Sequence, residues 1–262
     1  MKRSRLVLAS AALLVLPVPA AAQGGPVTVF AAASLKGPFT EAGAVLTHRR
    51  PGFAVRFNFA GSQQLALQIN QGAGADVFAA ADQRSTDAVG EKGLLAGEAV
   101  VFARNRLVVI TPAADPGRVG RLQDLAKPGL KLVLAAETVP VGRYSREALG
   151  RLAGAGGFGA DFAARVLRNV VSQEENVKAV VAKVQLGEAD AGMVYVSDVT
   201  PSVRRVVRLI LIPDEYNVVA AYPIAVLAGS RRQTDARAFV DFLLSVEGQR
   251  LLERHGLLRA AP

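Results

Sequence analysis

Apolar positions along the chain repeat every second residue in some stretches and every third or fourth in others, and the change between the two recurs. Val27-Thr28-Val29-Phe30-Ala31-Ala32-Ala33-Ser34 reads as a short strand that runs through small residues into a serine. Leu35, Phe39, Ala42 and Leu46 then share one helical face. Phe53 to Phe59 alternates strictly, ends at Ala60-Gly61-Ser62, and gives way to a helix with Leu65 and Ile69 inward. Asp76 to Asp82 predicts a third strand, with a short helix to about Lys92. Ser34 and Ser62 thus sit where a strand hands over to a helix. The first N–H groups of a helix lack helical partners, so such a place suits an anion.

Val100 to Phe102 and Leu107 to Thr111 read as two apolar stretches separated by Arg104-Asn105-Arg106, and a lobe boundary is placed there. Leu122 to Ala126 predicts a short helix stopped by Pro128-Gly129, and Lys131 to Ala136 a strand. Val139-Pro140-Val141-Gly142 leads into a helix from about Arg143 to Leu152, and Phe158 to Arg168 predicts another. Val177, Val180, Val181 and Val184 recur at helical spacing towards Gly187, while Ser172 and Glu175 have capping-box spacing that would start this helix early. Ala191 to Val196 and Val206 to Ile212 predict strands, and Val218 to Leu227 returns the chain to the first lobe. Helices over Thr234–Ser245 and Glu247–His255 finish it, with Gly256 as a stop.

This βαβα alternation predicts an α/β fold, with parallel sheets covered by helices on both faces. Two doubly wound lobes joined by a two-stranded hinge leave a cleft, and ligands of such sheets sit beyond the strands' carboxyl ends. Residues 23–104 and 217–262 are expected in the first lobe and 105–216 in the second.

Composition changes the picture at the N-terminus. Lys2, Arg3 and Arg5 precede an apolar run from Leu6 to Val18, and Ala20-Ala21-Ala22 supplies a small-residue cleavage site. Residues 1–22 read as a secretory signal peptide, too short in its apolar part to span a bilayer. Its three cations leave the mature chain at +6 from a total of +9. The remaining basic residues are scattered without interleaved aromatics, so no nucleic-acid surface is read. There is no cysteine, so an exported fold must rest on its core, and lipid attachment lacks its usual thiol. A freely soluble monomeric protein of the periplasm is expected.

Little in the chain supports catalysis. The two histidines, His48 and His255, read as ordinary surface residues with no carboxylate or serine at suggestive sequence spacing. No metal cluster, nucleophile elbow or phosphate loop is visible. Ser34 or Ser62 alone reads as a helix cap, Tyr195 as a core aromatic, and Val177 as a core residue.

In combination they carry more. Val29-Phe30-Ala31-Ala32-Ala33-Ser34-Leu35 closely resembles the opening of mature periplasmic molybdate-binding proteins, the receptors of ABC transporters for that oxyanion. Phe59-Ala60-Gly61-Ser62, Gly74-Ala75-Asp76-Val77-Phe78, Val139-Pro140-Val141-Gly142-Arg143-Tyr144 and Gly192-Met193-Val194-Tyr195-Val196-Ser197-Asp198 match in the same order. Tyr222-Pro223-Ile224-Ala225-Val226 suits the wider class of two-lobed receptors. The resemblance spans 27–259 and implies the type II periplasmic-binding-protein fold, closing on a tetrahedral dianion.

It further implies hydroxyl and backbone donors from Ser34 and Ser62, backbone N–H groups from Val141 and Val177, and the phenol of Tyr195. Val141 stands where the family often has alanine, and Gly61 where it often has serine. No direct cation ligand and no cofactor is expected: the ligand is molybdate or tungstate, with sulfate as an alternative, and the partner a membrane permease. An exported enzyme acting on a phosphorylated or sulfated substrate, and the sensor module of a regulator, are the competing classes.

Overall fold

The computed structural model describes residues 25–260, so the expected signal peptide lies outside the described residues. The chain opens with β1 (Val27–Ala32), a 3-10 turn at Ala33–Leu35 and α1 (Lys36–Arg49). Then come β2 (Val55–Ala60), α2 (Ser62–Asn70), β3 (Val77–Ala79) and α3 (Gln83–Gly90). β4 (Val100–Pro112) follows, then a 3-10 turn at Leu122–Ala126, β5 (Leu132–Ala135), α4 (Pro140–Ala153) and α5 (Phe162–Arg168). The middle closes with β6 (Val170–Glu174), α6 (Val177–Gln185), β7 (Ala191–Tyr195), α7 (Pro201–Arg204) and β8 (Val207–Leu211). β9 (Val219–Val226), α8 (Gln233–Leu244), α9 (Val246–Arg254) and β10 (Leu258–Arg259) complete the order.

The strands run in the order β2-β1-β3-β9-β4-β7-β5-β6, with β8 and β10 also paired to β4. β2, β1 and β3 are mutually parallel, as are β7, β5 and β6. The crossing strands are not: β9 runs antiparallel to β3, and β4 antiparallel to β9, β7 and β8. β4 is one unbroken strand where the sequence suggested two. Asn105 is fully buried, while Arg104 and Arg106 turn to the Ala260 carbonyl and the Asp214 carboxylate, so strand alternation continues through the polar triplet. The first half of β4 pairs with β9 and β10, the second half with β7 and β8.

Leu35, Phe39, Ala42 and Leu46 are buried, as their spacing requires. Phe39 meets Phe102 and Phe239 at ring-centroid distances of 5.6 and 5.4 Å, locking α1 and α8 onto the sheet. Burying each such ring stabilises the fold by about 1.5–3 kcal/mol. Several boundaries move. α4 begins at Pro140 rather than Arg143, and α5 at Phe162 rather than Phe158. β6 occupies a stretch not predicted as a strand, because Ser172 and Glu175 have the spacing of a helix cap. There Ser172 Oγ donates to Glu174 Oε1 at 2.5 Å and receives Lys183 Nζ at 2.9 Å.

Candidate functional site

The carboxyl ends of β1 and β2 face the N-termini of α4 and α6 across a small cavity of about 20 Å³. Ser34, Ser62, Val141, Val177 and Tyr195 all line it, together with small residues such as Ala33, Gly61 and Ala81.

Each of the five arrives by a local rule. Ser34 sits in the 3-10 turn that joins β1 to α1 and is buried; its Oγ lies 3.0 Å from Tyr222 Oη. Ser62 is the first residue of α2, with Gly61 at the cap position. Its hydroxyl does not cap the helix: Ser62 Oγ accepts the Ala81 N–H at 2.9 Å, which ties α2 to the end of β3. The proton of Ser62 is left to donate elsewhere.

Val141 is the second residue of α4, after Pro140, which has no N–H to leave unsatisfied. Val177 is the first residue of α6. Asn176, not Ser172, is its cap, with Oδ1 accepting the Ala179 N–H at 3.1 Å. Both valines therefore hold N–H groups that no helical carbonyl reaches. Tyr195 ends β7 with its ring buried and its Oη without a protein partner. Burial pushes its phenol well above the ordinary range, so it keeps its proton at any working pH.

Gly61 approaches the other wall closely: a Cβ there would stand 2.6 Å from the Glu175 carbonyl. Gly142 is equally constrained, since a Cβ would lie 2.1 Å from the Ala136 carbonyl at the end of β5.

Among the described residues, no Lys, Arg, His, Asp or Glu lines the cavity. Glu137 is exposed, and the Glu175 carboxylate accepts from Gln64 Nε2 at 3.1 Å, so neither reaches the cavity wall. Burial raises the Asp198 carboxyl above its ordinary range, and Lys178 Nζ, 2.7 Å away, and the Tyr195 N–H oppose the rise. His255 is not an isolated surface histidine. Its Nε2 lies 2.6 Å from Glu41 Oε2, a pairing between α1 and the end of α9, remote in sequence and away from the cavity.

Sequence reasoning missed Tyr222, Asn105 and Ala81. Asn105 had a signal of its own, a polar residue at an inward strand position between Ala103 and Leu107. Among the described residues, no group of three or more His, Cys, Asp or Glu could hold a metal ion, and no helix is long and apolar enough to cross a membrane.

The arrangement is a shell of hydrogen-bond donors at helix starts, suited to holding an anion without a countercharge. Comparison with known proteins agrees with a binding rather than a catalytic role. The chain is 40% identical to the molybdate-binding protein ModA of Mycobacterium tuberculosis over 247 residues, covering 92% of this chain and 90% of that one. The molybdate-binding protein ModA of Escherichia coli is 32% identical, with 90% of each chain covered. The solved periplasmic molybdate-binding protein of Azotobacter vinelandii shares the fold at a TM-score of 0.76 and 19% identity, covering 88% of this chain and 98% of that one. With the family model described as bacterial extracellular solute-binding protein matching residues 27–258, the chain belongs to that family.

Proposed function

We propose that this protein is a periplasmic receptor that closes on molybdate and delivers it, as a monomer, to the membrane permease of an ABC transporter. The observation that carries the reading is a cavity whose lining brings together the five donor-bearing residues, with Asn176 beside them and no ionised side chain. In this reading the hydroxyls of Ser34 and Ser62, the N–H groups of Val141 and Val177 and the phenol of Tyr195 hold the four oxygens. The N-terminal ends of α4 and α6 add the positive ends of two helix dipoles. The relatives named molybdate-binding support the choice of anion. Residues 23–104 and 217–262 form the lobe that brings the serines, and 105–216 the lobe that brings the valines and the tyrosine. Residues 1–22 direct export.

Selectivity follows from protonation. Molybdate and tungstate at neutral pH offer only acceptors, so every donor finds a partner. Phosphate still carries a proton that needs an acceptor in the shell, and an unmatched contact costs about 1–3 kcal/mol, or one to two decades in affinity. Calorimetric titration of the purified mature protein with molybdate, tungstate, sulfate and phosphate tests this. Tight binding of molybdate and tungstate with far weaker phosphate is expected. Phosphate displacing molybdate at similar concentrations overturns the reading.

A further inference from the structure

Tyr222 and Asn105, both fully buried on the paired crossing strands β9 and β4, stand directly behind Ser34. Neither touches the cavity, yet their hydrogen bonds have a direction. Asn105 Oδ1 accepts the Arg106 N–H at 3.0 Å, so its amide nitrogen must face the other way. That nitrogen donates to Ser197 Oγ at 2.7 Å and to Tyr222 Oη at 3.3 Å. Tyr222 has a single proton. With its oxygen receiving Asn105, that proton goes to Ser34 Oγ, 3.0 Å away. Burial holds the Tyr222 phenol protonated, so it retains a proton to give. The distance between the two hydroxyls allows either to donate; Asn105 removes the choice.

We infer that Asn105 and Tyr222 are positioning residues that fix Ser34 as a donor towards the cavity, and that they thereby sharpen the preference for a fully deprotonated oxyanion. Ser34 Oγ receives a proton from behind, so its own proton points to the ligand. Ser62 is set the same way by the Ala81 N–H. Each serine oxygen already accepts one proton from the protein. A proton carried by the ligand must compete for what remains, and it does so at a site where turning the hydroxyl would break the relay. The backbone donors at Val141 and Val177 can never accept. The relay thus extends the donor-only character of the cavity two residues deep, into the strands that join the two lobes.

This inference rests on the oxyanion site proposed above, and a double-mutant cycle separates the two. Molybdate affinity is measured by calorimetry for the unaltered protein, Ser34→Ala, Tyr222→Phe and the double variant, with phosphate competition run alongside. Circular dichroism first confirms that each variant is folded. Ser34→Ala is expected to weaken molybdate binding about 10- to 100-fold. Tyr222→Phe is expected to weaken it about three- to tenfold and to narrow the molybdate-to-phosphate ratio. In the Ser34→Ala background it should change affinity less than about twofold, because the relay no longer ends on a hydroxyl.

A purely structural role for Tyr222 would give the same loss in both backgrounds. That result, or no loss at all with Ser34 intact, or an unchanged molybdate-to-phosphate ratio, overturns the relay while leaving the site standing. An unchanged affinity in Ser34→Ala removes the site itself, and the relay with it. If Tyr222→Phe does not fold, Asn105→Ala replaces it in the same cycle. It leaves Tyr222 free to accept from Ser34, and it is judged by the same outcomes.

Discussion

The oxygen of Ser62 has two neighbours to serve, the Ala81 N–H behind it and the cavity in front. Ser62→Ala therefore does more than remove one contact to a ligand. It leaves a buried backbone N–H without a partner, at a cost of about 1–3 kcal/mol. For a chain of this size the melting temperature should fall by roughly 2–10 °C. Molybdate affinity should fall about 10- to 100-fold in the same variant, since a hydrogen bond to a charged group is worth about 1.5–3 kcal/mol. Differential scanning calorimetry without ligand and a molybdate titration read the two effects separately. Loss of affinity with no loss of stability would show that the Ala81 contact contributes nothing to the fold. Sequence alone marked Ser62 as a residue at a helix start: a cap when taken singly, a ligand donor by the family resemblance, and in neither case an acceptor from the backbone. The true acceptor role depends on Ala81, nineteen residues on and brought alongside by strand pairing.

At the scale of elements, the N-terminus of α4 is pressed against the end of β5. A methyl group at Gly142 would stand 2.1 Å from the Ala136 carbonyl, which is backbone and cannot swing aside. Gly142→Ala should push α4 outwards and destabilise the protein by about 1–3 kcal/mol, seen as a lower urea midpoint. The same shift moves the Val141 N–H, so molybdate binding should weaken as well. An unchanged midpoint would mean that the helix start has slack.

α1 and α9 are joined differently, by Glu41 with His255 at 2.6 Å and Arg254 at 2.7 Å. These two partners, His255 foremost, hold the Glu41 carboxyl below its ordinary value of 4.5. A carboxylate favoured in the folded state adds stability above its unfolded value, and that stability is lost as pH falls through the lower folded value. Glu41→Gln should therefore flatten the decline in stability between about pH 5 and pH 3, by under about 1 kcal/mol because the group is half-exposed. Urea midpoints across that window check it, and parallel curves for the two proteins would exclude a role for Glu41. The spacing of apolar residues revealed both helices, but nothing local to either predicted that Glu41 and His255 would meet.

Across the whole molecule, the two walls of the cavity are tied by polar contacts as well as by the crossing strands. Arg143 at the start of α4 reaches Asp82 Oδ2 at 2.7 Å, while Asp82 Oδ1 caps α3 through the Ser85 N–H. Gln63 and Gln64 on α2 bond the Glu175 carbonyl and carboxylate at 3.2 and 3.1 Å. Asp82 is almost fully buried here; in the proposed receptor cycle it rehydrates when the cleft opens, so Arg143→Met leaves a carboxylate without its cation in the closed form alone. The cost falls on the closed form, and molybdate affinity should drop about tenfold. Small-angle scattering with molybdate present should show a larger radius for the variant at equal ligand concentration. Unchanged affinity and radius would show that the pair does not favour the closed form.

Periodicity was enough to show the α/β alternation, most of the strands and helices, and the strand-to-helix handovers at Ser34 and Ser62, because these depend on neighbours within a few residues. It put Val141 next to a helix start for the same reason, but left two starts open for the helix of Val177, which the structure settles with Asn176 as the cap. It did not show that β4 runs unbroken, since a polar triplet inside an apolar strand makes sense only once Asn105 has buried partners. Nor did it show β6, whose polar residues satisfy one another on the sheet surface. The relay behind Ser34 was illegible for a stronger reason. Ser34 and Tyr222 are 188 residues apart, and Asn105 and Ser197 are 92. Which hydroxyl gives its proton, and which receives, is settled by where strands from distant parts of the chain lie side by side. Local sequence determines what each segment can become; long-range packing alone decides which polar groups face each other, and so what the cavity accepts.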